Sequence, residues 1–518
     1  MFYQKISKFC HVIKINVAIG GICFAMLLIC LNAYSQQQPL GIFDGQSNVG
    51  NAIRPGSATY LSSEQQYILT GAGYNIWFEK DEFHYAWKRI TGNFILYARA
   101  AFAGSEGVDP HRKLGWMIRK NLDANAPHIS AAVHGDGLAA LQYRKITGAQ
   151  TEEKKSGLKK ATIIQLERKG NVYTMRIAKY GEPFVTEQVA DIEMGNEVYV
   201  GLFVGSHNAD VSETALFSDV SVSIPYPGIA DQRTPMVLGS NLELLDIASG
   251  KREIVYTQTN SIQAPNWLQD GKTLLYNDSK GMIYTFSLDT HKATLLNTGT
   301  VTNNNNDHVL SFDSKMLGLS SNVKELGGSI IYTVPIEGGI PKQITPKGPS
   351  YLHGWSPDSK DLVYCAERNG NYDVYKIPAE GGNEIRLTDA QGLDDGPEYT
   401  PDGKYIYFNS VRSGLMQVWR MRPDGTQQEQ VTNDTFNNWF PHISPDGKWM
   451  VYLSFLQEEV EPGIHPPYQH VYIRLQPVNG GASKVLAYVY GGQGSINTPS
   501  WSPDSKRIAF ISNSDMRQ

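Results

Sequence analysis

The sequence predicts an all-β protein in which a six-bladed β-propeller follows a jelly-roll-like β-sandwich. Three observations predict this fold class. A six-residue phrase (a bulky residue, two spacers, Asp, Gly or Ser, then Lys) occurs six times in the second half of the chain. The first half lacks this phrase and contains many short runs of β-branched and aromatic residues. Convincing long amphipathic helices are absent from that first half.

The repeated phrase sets the number of blades. Its aspartates lie 43, 45, 44, 44 and 58 residues apart, and a period of about 40–45 residues is typical of propeller blades. We expect the run after each phrase, such as 405–408, to be an inner strand, followed by a second and a short third strand. The six aspartates are Asp270, Asp313, Asp358, Asp402, Asp446 and Asp504.

The sixth blade is expected to be completed from the front of the domain. The sixth copy reaches Gln518 without its later strands. Residues 242–247 and 253–256 match the missing strands in order. Pairing them with the last copy closes the ring and removes the exposed sheet edges. Five complete copies and one shared blade predict six blades.

Length and composition divide the chain into segments. A chain of 518 residues is too long for one ordinary hydrophobic core. Strand-like runs bounded by turn residues occupy 39–224, the predicted sandwich. Prolines and turn residues at 225–238 predict a linker, and 239–518 is the predicted propeller.

The first 35 residues predict a secretory signal peptide. Lys5, Lys8 and Lys14 precede an apolar run at 17–31, and Ala-Tyr-Ser at 33–35 offers a cleavage site. The apolar run is short for a membrane-spanning helix, although an uncleaved anchor is the alternative. We therefore expect a periplasmic or secreted protein with no membrane span after cleavage.

Cysteine and charge content exclude two kinds of chemistry. Cys10, Cys23 and Cys30 leave with the signal peptide, so the remaining Cys365 cannot form an internal disulfide and is expected to be a buried thiol. The formal net charge is −5, and no Lys/Arg-rich stretch interrupts this mild acidity. Nucleic acid is therefore not an expected partner.

The phrase itself resembles a known repeat. Trp-Ser-Pro-Asp-Ser-Lys at 355–360 and 501–506, the strand after it and the Gly-Gly turns at 338–339 and 381–382 are similar to TolB-like (PD40, WD40-like) propeller repeats. The resemblance covers 239–518 and implies an axial funnel that binds a peptide, protein or small ligand. TolB itself has an α/β domain before its propeller, so a Tol–Pal role is not implied. No Gly-x-Ser-x-Gly elbow supports serine-peptidase chemistry.

The first domain resembles concanavalin-like lectin and glucanase sandwiches. The resemblance lies in the run at 170–176 and the closing Phe-x-Asp-Val-x-Val strand at 217–222. It implies a carbohydrate-binding fold. Aromatic and histidine side chains that could stack on sugars are Trp77, Tyr85, Trp87, Trp116 and His134, although such residues are more often core.

The candidate site residues lie just upstream of each phrase. Five residues before the repeat aspartate, four copies have proline, whereas the other two have His308 and His353. We expect this segment to cross the funnel face, so that its side chains converge on the axis. Candidate catalytic residues are His308, His353 and His442, and candidate ligand-binding residues are Asp307, Asp394, Asp395, Glu398, Asn438, Trp439 and Gln493.

A divalent metal is the one candidate cofactor. Some TolB-like propellers are oligogalacturonate lyases, whose funnel histidines and a glutamine hold a metal against a uronate. That resemblance makes His308, His353, His442 and Gln493 candidate metal ligands, although their spacing lacks a tight His-x-His pair. Non-catalytic ligand contact and a purely structural role are the alternatives for these histidines.

An insertion at 458–470 produces the longest spacing between phrases, and its histidines are secondary candidates for the site. Lengthened loops on a rigid scaffold commonly carry binding function. His465 and His470 lie in this insertion. A solvated lid without ligands is the alternative.

Two functions follow from this pattern. The first is an exported recognition protein that uses the funnel, with or without the sandwich, to bind a glycan or a protein partner in the envelope or outside it. The second is a metal-assisted lyase or hydrolase acting on an acidic oligosaccharide. The sequence leaves open whether the protein is an enzyme.

Overall fold

The computed structural model describes residues 40–104, 109–231 and 233–517. In these ranges the regular structure consists of β-strands, numbered along the chain, and two single-turn 3-10 helices, Lys324–Leu326 and Gln493–Ser495. No helix in the described part of the chain is long and apolar enough to cross a membrane. The predicted signal peptide, with Cys10, Cys23 and Cys30, lies outside the described residues.

The first half forms two antiparallel sheets of seven strands each. The first sheet has the order β1 (Gly45–Val49), β4 (Phe83–Thr91), β13 (Glu197–Gly205), β6 (Lys113–Arg119), β7 (His128–His134), β8 (Ala139–Arg144) and β9 (Glu152–Lys155). The second has the order β12 (Val185–Val189), β11 (Val172–Ala178), β10 (Ile163–Lys169), β5 (Phe94–Ala103), β14 (Asn208–Ser223), β3 (Gln66–Gly73) and β2 (Ser57–Leu61).

The two sheets share one core because their apolar residues alternate along each strand. Leu114, Trp116 and Ile118 of β6 belong to the same buried cluster as Leu96 and Ala98 of β5 in the opposite sheet. This pattern confirms the predicted sandwich. Trp116, a candidate for stacking on sugar, is instead a fully buried core residue.

The outer face of the first sheet is covered as well. Tyr85 of β4 and Met117 of β6 form a second buried cluster with Ile76, which lies in the loop before β4. In the same loop, Asp81 is fully buried and pairs with Arg119 at 2.7 Å and with Arg144 at 2.8 Å. Tyr85 is therefore buried and has no open face for a sugar ring.

The second half forms six sheets arranged as propeller blades. Five have four strands: β17–β20 (Ile262–Trp267, Thr273–Asp278, Ile283–Ser287, Lys292–Leu295), β21–β24 (Asn304–Leu310, Met316–Val323, Gly328–Pro335, Lys342–Gln343), β25–β28 (Ser350–Trp355, Asp361–Arg368, Asn371–Pro378, Ile385–Arg386), β29–β32 (Asp394–Tyr399, Ile406–Ser413, Leu415–Met421, Glu429–Gln430) and β33–β36 (Phe436–Ile443, Trp449–Leu456, Gln469–Pro477, Lys484–Gly491). The sixth contains β37 (Arg507–Ser514), β15 (Gly239–Asp246) and β16 (Arg252–Gln258).

The ring closes as the sequence predicts. β37 pairs with β15 in antiparallel register from Asp246↔Arg507 to Gly239↔Ser514, and β15 then pairs with β16. Trp501 forms an isolated bridge with Ile508 and supplies the innermost contact of this blade. The six-bladed propeller is therefore confirmed.

The position of the inner strand differs from the prediction. In each four-stranded blade the innermost strand precedes the phrase, and the run after the phrase is the second strand. The upstream segment lies along the axis as the first strand of the blade, so the prediction that it crosses the funnel face before the inner strand is wrong. The phrase is the hairpin between strands one and two.

A repeated bulge explains the prolines upstream of the phrase. The ladder between the first two strands shifts register in all five four-stranded blades. Ala264, Gly396 and Phe440 have φ of +55°, +61° and +53° at this point, and each is followed by proline. A bulge interrupts the ladder, so the missing N–H of proline costs no hydrogen bond there.

The phrase aspartates are turn residues. Asp358 Oδ1 accepts hydrogen bonds from Ser356 Oγ at 2.7 Å and from the Lys360 amide at 3.2 Å. Asp446 and Asp504 make the corresponding bonds in their own phrases. These bonds close the hairpin between the first two strands.

Loss of buried volume at the closure should destabilise the propeller. Phe510 of β37 is fully buried, so Phe510→Ala should lower the free energy of unfolding by about 3–5 kcal/mol. Denaturant unfolding followed by circular dichroism measures the change. Ile340→Ala is the control, because Ile340 is 91% exposed and its loss should change stability by less than about 0.5 kcal/mol. Equal effects of the two variants would contradict the observed closure.

Candidate functional site

The first halves of several inner strands surround a cavity of about 630 Å³ on the propeller axis. Because the strands begin at this end of the ring, residues early in β21, β25 and β29 face a common space. The side chains used in the argument below are Asp307, Tyr351, His353, Tyr372, Asp395 and His465. The volume lies within the usual range for small-ligand sites.

A buried ion pair lies at the centre of the cavity wall. His353 Nε2 is 3.1 Å from Asp395 Oδ1, which also accepts the Gly396 amide at 2.7 Å. Burial alone would raise the pKa of Asp395, but His353 outweighs burial and holds the pKa at about 2. Burial alone would lower the pKa of His353, but Asp395 outweighs it and the pKa is raised. Each partner therefore favours the charged form of the other.

A second carboxyl group in the cavity has a raised pKa, in contrast to that of Asp395. Burial raises the pKa of Asp307 to about 6, against the smaller opposing effect of His353. Its Oδ1 accepts a hydrogen bond from Asn497 Nδ2 at 2.6 Å. Near neutral pH this carboxyl group exchanges its proton, so it can donate or accept a hydrogen bond.

Aromatic rings complete the wall. Tyr351 and Tyr372 line the cavity, and burial raises the pKa of both phenols, which therefore stay protonated. His353 stacks on Phe440 with ring centroids 5.9 Å apart. Phenol rings beside carboxylate, imidazole and amide groups form a surface that suits a polar ligand with hydroxyl groups.

The insertion at 458–470 contributes one wall residue. His465 lines the cavity with Nε2 4.0 Å from Asp395 Oδ2, and its ring meets Trp439 edge-on at 4.6 Å. Gln493, a predicted ligand residue, lines the same cavity. The structure thus brings together Asp307, His353, Asp395 and Gln493 of the predicted residues.

Two predicted histidines lie elsewhere. His442 uses both ring nitrogens, with Nδ1 2.6 Å from Glu398 Oε2 and Nε2 2.8 Å from the Ile496 carbonyl. Glu398 also accepts the Ile443 amide at 3.1 Å, so the pair joins neighbouring blades. His308 is fully buried, and burial lowers its pKa to about 4. Neither histidine lines the funnel cavity.

The remaining predicted ligand residues serve the blades. Asp394 pairs with Arg412 at 2.6 Å. Asn438 donates to Asp434 Oδ1 at 3.0 Å within a buried network, and Trp439 is fully buried in the core. Side chains alternate along a strand, so neighbours of a cavity residue point into the blade.

The predicted metal ligands do not form one donor set. His353 and Gln493 line the cavity, whereas His308 and His442 lie within the blades. In the part of the chain that the structure describes, no three His, Cys, Asp or Glu side chains are grouped so as to hold a metal ion. Cys365 also lines the cavity, and burial raises the pKa of its thiol well above the usual range.

His470 lies between the two domains. Its Nδ1 is 3.1 Å from Glu459 Oε2, and its Nε2 is 3.3 Å from Glu167 Oε2 on β10 of the sandwich. Arg176 of β11 pairs with the same Glu167 and lies 3.7 Å from Glu459. Burial alone would lower the pKa of His470, but the two carboxylates outweigh burial and raise it to about 9. The charged imidazole therefore links sandwich and propeller at neutral pH.

Six closed blades around a polar axial cavity define a β-propeller protein with a funnel site. Residues 353–465 match the family model of the TolB beta propeller domain, PD40. An uncharacterised protein of Agrobacterium fabrum (strain C58) is 41% identical over 273 residues, which are 52% of this chain and 92% of that protein. The chain belongs to the family of TolB-like β-propeller proteins.

Solved structures share the propeller fold. A protein from Agrobacterium tumefaciens, provisionally named TolB, is 40% identical, and the match covers 53% of this chain and 98% of that one with a TM-score of 0.51. An oligogalacturonate lyase in complex with manganese is 15% identical, covering 55% of this chain and 98% of that one with a TM-score of 0.35. The second likeness is too distant to inform chemistry, and the concanavalin-like resemblance of the sandwich stays a prediction.

The buried carboxyl group of Asp307 should destabilise the protein above its own pKa. The folded pKa of about 6 lies above the ordinary value of 3.8, so the penalty is absent below pH 3.8, grows between these values and is complete above pH 6. Asp307→Asn should therefore raise the unfolding free energy by about 2–3 kcal/mol at pH 7 and leave it unchanged at pH 3.5.

The measurement is thermal unfolding across this pH range. Asp402→Asn is a control of opposite sign, because Lys404 and Thr400 lower the pKa of Asp402 to about 2. Its removal should lower stability at pH 7. A pH-independent effect of Asp307→Asn would contradict the assignment.

The interdomain histidine should stabilise the protein only while it is charged. The folded pKa of about 9 exceeds the ordinary value of 6.5, so the contribution is complete below pH 6.5 and is lost as the pH rises through 9. His470→Gln should lower the unfolding free energy by about 2–3 kcal/mol at pH 6 and have little effect at pH 10. The exposed His291→Gln is the control, and equal losses at both pH values would argue against the charged link.

Proposed function

We propose that the protein is an exported binding protein whose propeller funnel receives a polar glycan. The observation that carries the proposal is the cavity of about 630 Å³ in which Tyr351 and Tyr372 lie beside the His353–Asp395 pair. Phenol rings can stack on the apolar face of a sugar, and the carboxylate, imidazole and amide groups can bind its hydroxyls. A hydroxyl-rich segment of an envelope protein is the alternative ligand, because its hydroxyl groups can make the same hydrogen bonds.

The charge of the cavity favours a neutral ligand. Asp395 is ionised and Asp307 is largely ionised at pH 7, and the raised pKa of His353 favours the protonated form that offsets one of these charges. Arg233 lies at the cavity, but its side chain is 92% exposed and pairs with Asp231 at 3.5 Å. An acidic oligosaccharide would bring further negative charge against these carboxyl groups, which costs binding energy.

The second candidate function is a lyase or hydrolase acting on an acidic oligosaccharide with a divalent metal. Asp307 is the observation in its favour, because a carboxyl group with a pKa of about 6 can act as an acid or base near neutral pH. Two observations favour the binding protein instead. His308 and His442 lie away from the cavity, and the cavity carries negative charge.

The predicted signal peptide supports an envelope or extracellular location within this proposal. A secretory leader at 1–35 would deliver the mature chain to the periplasm or outside the cell. Both compartments contain the glycans and proteins that the funnel chemistry could recognise.

Calorimetric titration with a panel of neutral and acidic oligosaccharides tests the proposal. At least one neutral glycan should bind, and Tyr351→Ala and Asp395→Asn should each weaken binding by at least about tenfold, because each removes a wall contact. His291→Ala, which changes an exposed histidine outside the cavity, should leave binding unchanged.

Two results would overturn the proposal. Binding that survives both wall variants would place the glycan elsewhere on the molecule. Release of unsaturated uronate products from an acidic oligosaccharide, detected by ultraviolet absorbance, would establish the lyase instead.

A further inference from the structure

The insertion at 458–470 contacts both the funnel and the sandwich. It lies between β34 and β35, the second and third strands of its blade. In its middle, His465 lines the funnel cavity and lies 4.0 Å from Asp395. At its end, His470 lies 3.3 Å from Glu167 of the sandwich. One short segment therefore joins the cavity of the propeller to the other domain.

Four charged side chains fasten the base of the insertion to the sandwich. Glu459 and His470, near the two ends of the insertion, pair with each other at 3.1 Å. Arg176 of β11 lies 3.7 Å from Glu459 and also pairs with Glu167 of β10. None of these side chains is more than 24% exposed, so the pairs are only weakly screened by solvent.

The linker from the sandwich holds the same segment at a second point. The Tyr468 hydroxyl accepts hydrogen bonds from the amides of Val237 and Leu238, at 2.7 and 3.0 Å. Tyr226, at the start of the linker, stacks on Tyr468 with ring centroids 5.6 Å apart. Arg233 of the linker lines the funnel cavity beside the insertion. The mouth of the funnel is thus built partly by segments outside the blades.

The part of the insertion that reaches the funnel has little conformational freedom. Pro462, Pro466 and Pro467 fix three backbone φ angles. The segment also packs closely on its neighbour, because a Cβ atom on Gly492 would lie 2.2 Å from the carbonyl oxygen of Pro466. Gln493, the next residue, lines the funnel. A movement at the base of the insertion is therefore transmitted to the funnel wall.

We propose that the sandwich positions one wall of the funnel, because Glu167 and Arg176 hold the base of the insertion and so keep His465 beside Asp395. Glu167 and Arg176 are positioning residues, since neither of them lines the cavity. The consequence for glycan affinity rests on the proposed function, whereas the position of His465 does not. The two domains thus act as one unit at this site.

The thiol of Cys365 reports the position of the wall without any ligand. Cys365 lines the funnel, is 1% exposed and is the only cysteine after residue 35. Glu167→Gln takes the shared carboxylate away from Arg176 and His470, so the insertion should open more often. The rate at which methyl methanethiosulfonate modifies Cys365, measured by mass spectrometry, should then rise by at least about tenfold.

The ring of His465 gives a second readout, which a purely structural role of Glu167 would not move. Burial lowers the pKa of His465 in the folded protein. When Glu167→Gln releases the ring from the wall, that pKa should move towards the ordinary value of 6.5. An NMR titration measures the shift, and the signal is assigned from its absence in His465→Gln.

Gln65→Ala is the matched control. Gln65 bonds to both the amide and the carbonyl of Ile254, each at 3.0 Å, and so joins the sandwich to the propeller without touching the insertion. Its loss should leave the modification rate of Cys365 and the titration of His465 as they are in the unaltered protein. Melting temperatures of both variants show whether they are compared at similar stability.

Glycan affinity tests the consequence for binding. For an oligosaccharide that binds in the funnel, Glu167→Gln should weaken binding by about tenfold, and it should cause no further loss when it is added to His465→Ala. If no oligosaccharide binds, the proposed function fails, but the thiol and histidine readouts still decide the position of His465.

Two outcomes would overturn the inference. The first is a Glu167→Gln variant in which neither the Cys365 rate nor the His465 titration changes. The second is an equal change in Gln65→Ala, which would show a general loosening of the two domains. If Glu167→Gln does not fold, Glu459→Gln removes the partner on the insertion itself, and the same results are expected of it.

Discussion

The antiparallel pairing of β37 with β15 is the interaction on which the propeller depends. Each blade is a small sheet whose edges would be exposed alone, and the ring buries its flanks only when the last sheet includes the first strand of the domain. Residues separated by the whole length of the domain, such as Asp246 and Arg507, meet in this ladder. Once the ring is closed, six inner segments are fixed around one axis, and cavities exist at both of its ends.

The inner strand carries two different surfaces because a bulge divides it. At or before the bulge lie polar residues such as Asp307 and Asp395, which line the funnel. After the bulge lie the bulky residues that open each phrase, such as Trp267 and Trp355, which line the opposite end. The two ends of the same strand therefore line the two cavities. Function at either end thus depends on the same scaffold.

The repeat made the propeller, its closure and part of its site predictable. Asp307, His353, Asp395 and Gln493 were predicted from their positions upstream of the phrases, and they line the funnel. His442 could not be assigned correctly, because its direction depends on the bulge and on a bond to Glu398 across a blade boundary. Tyr351 and Tyr372 were missed because tyrosines in strands usually indicate core packing.

The sandwich shows the same limit, since the outer face of its first sheet is covered by a loop that contains Ile76 and Asp81, and no local pattern revealed this cover. The proposed function rests on the polar funnel cavity. A crystal structure of the protein with a bound neutral oligosaccharide tests this most directly. The account predicts a sugar ring beside Tyr351 with hydroxyls bonded to Asp395 or Asp307. Sugar bound only on the sandwich, with an empty funnel, would contradict it.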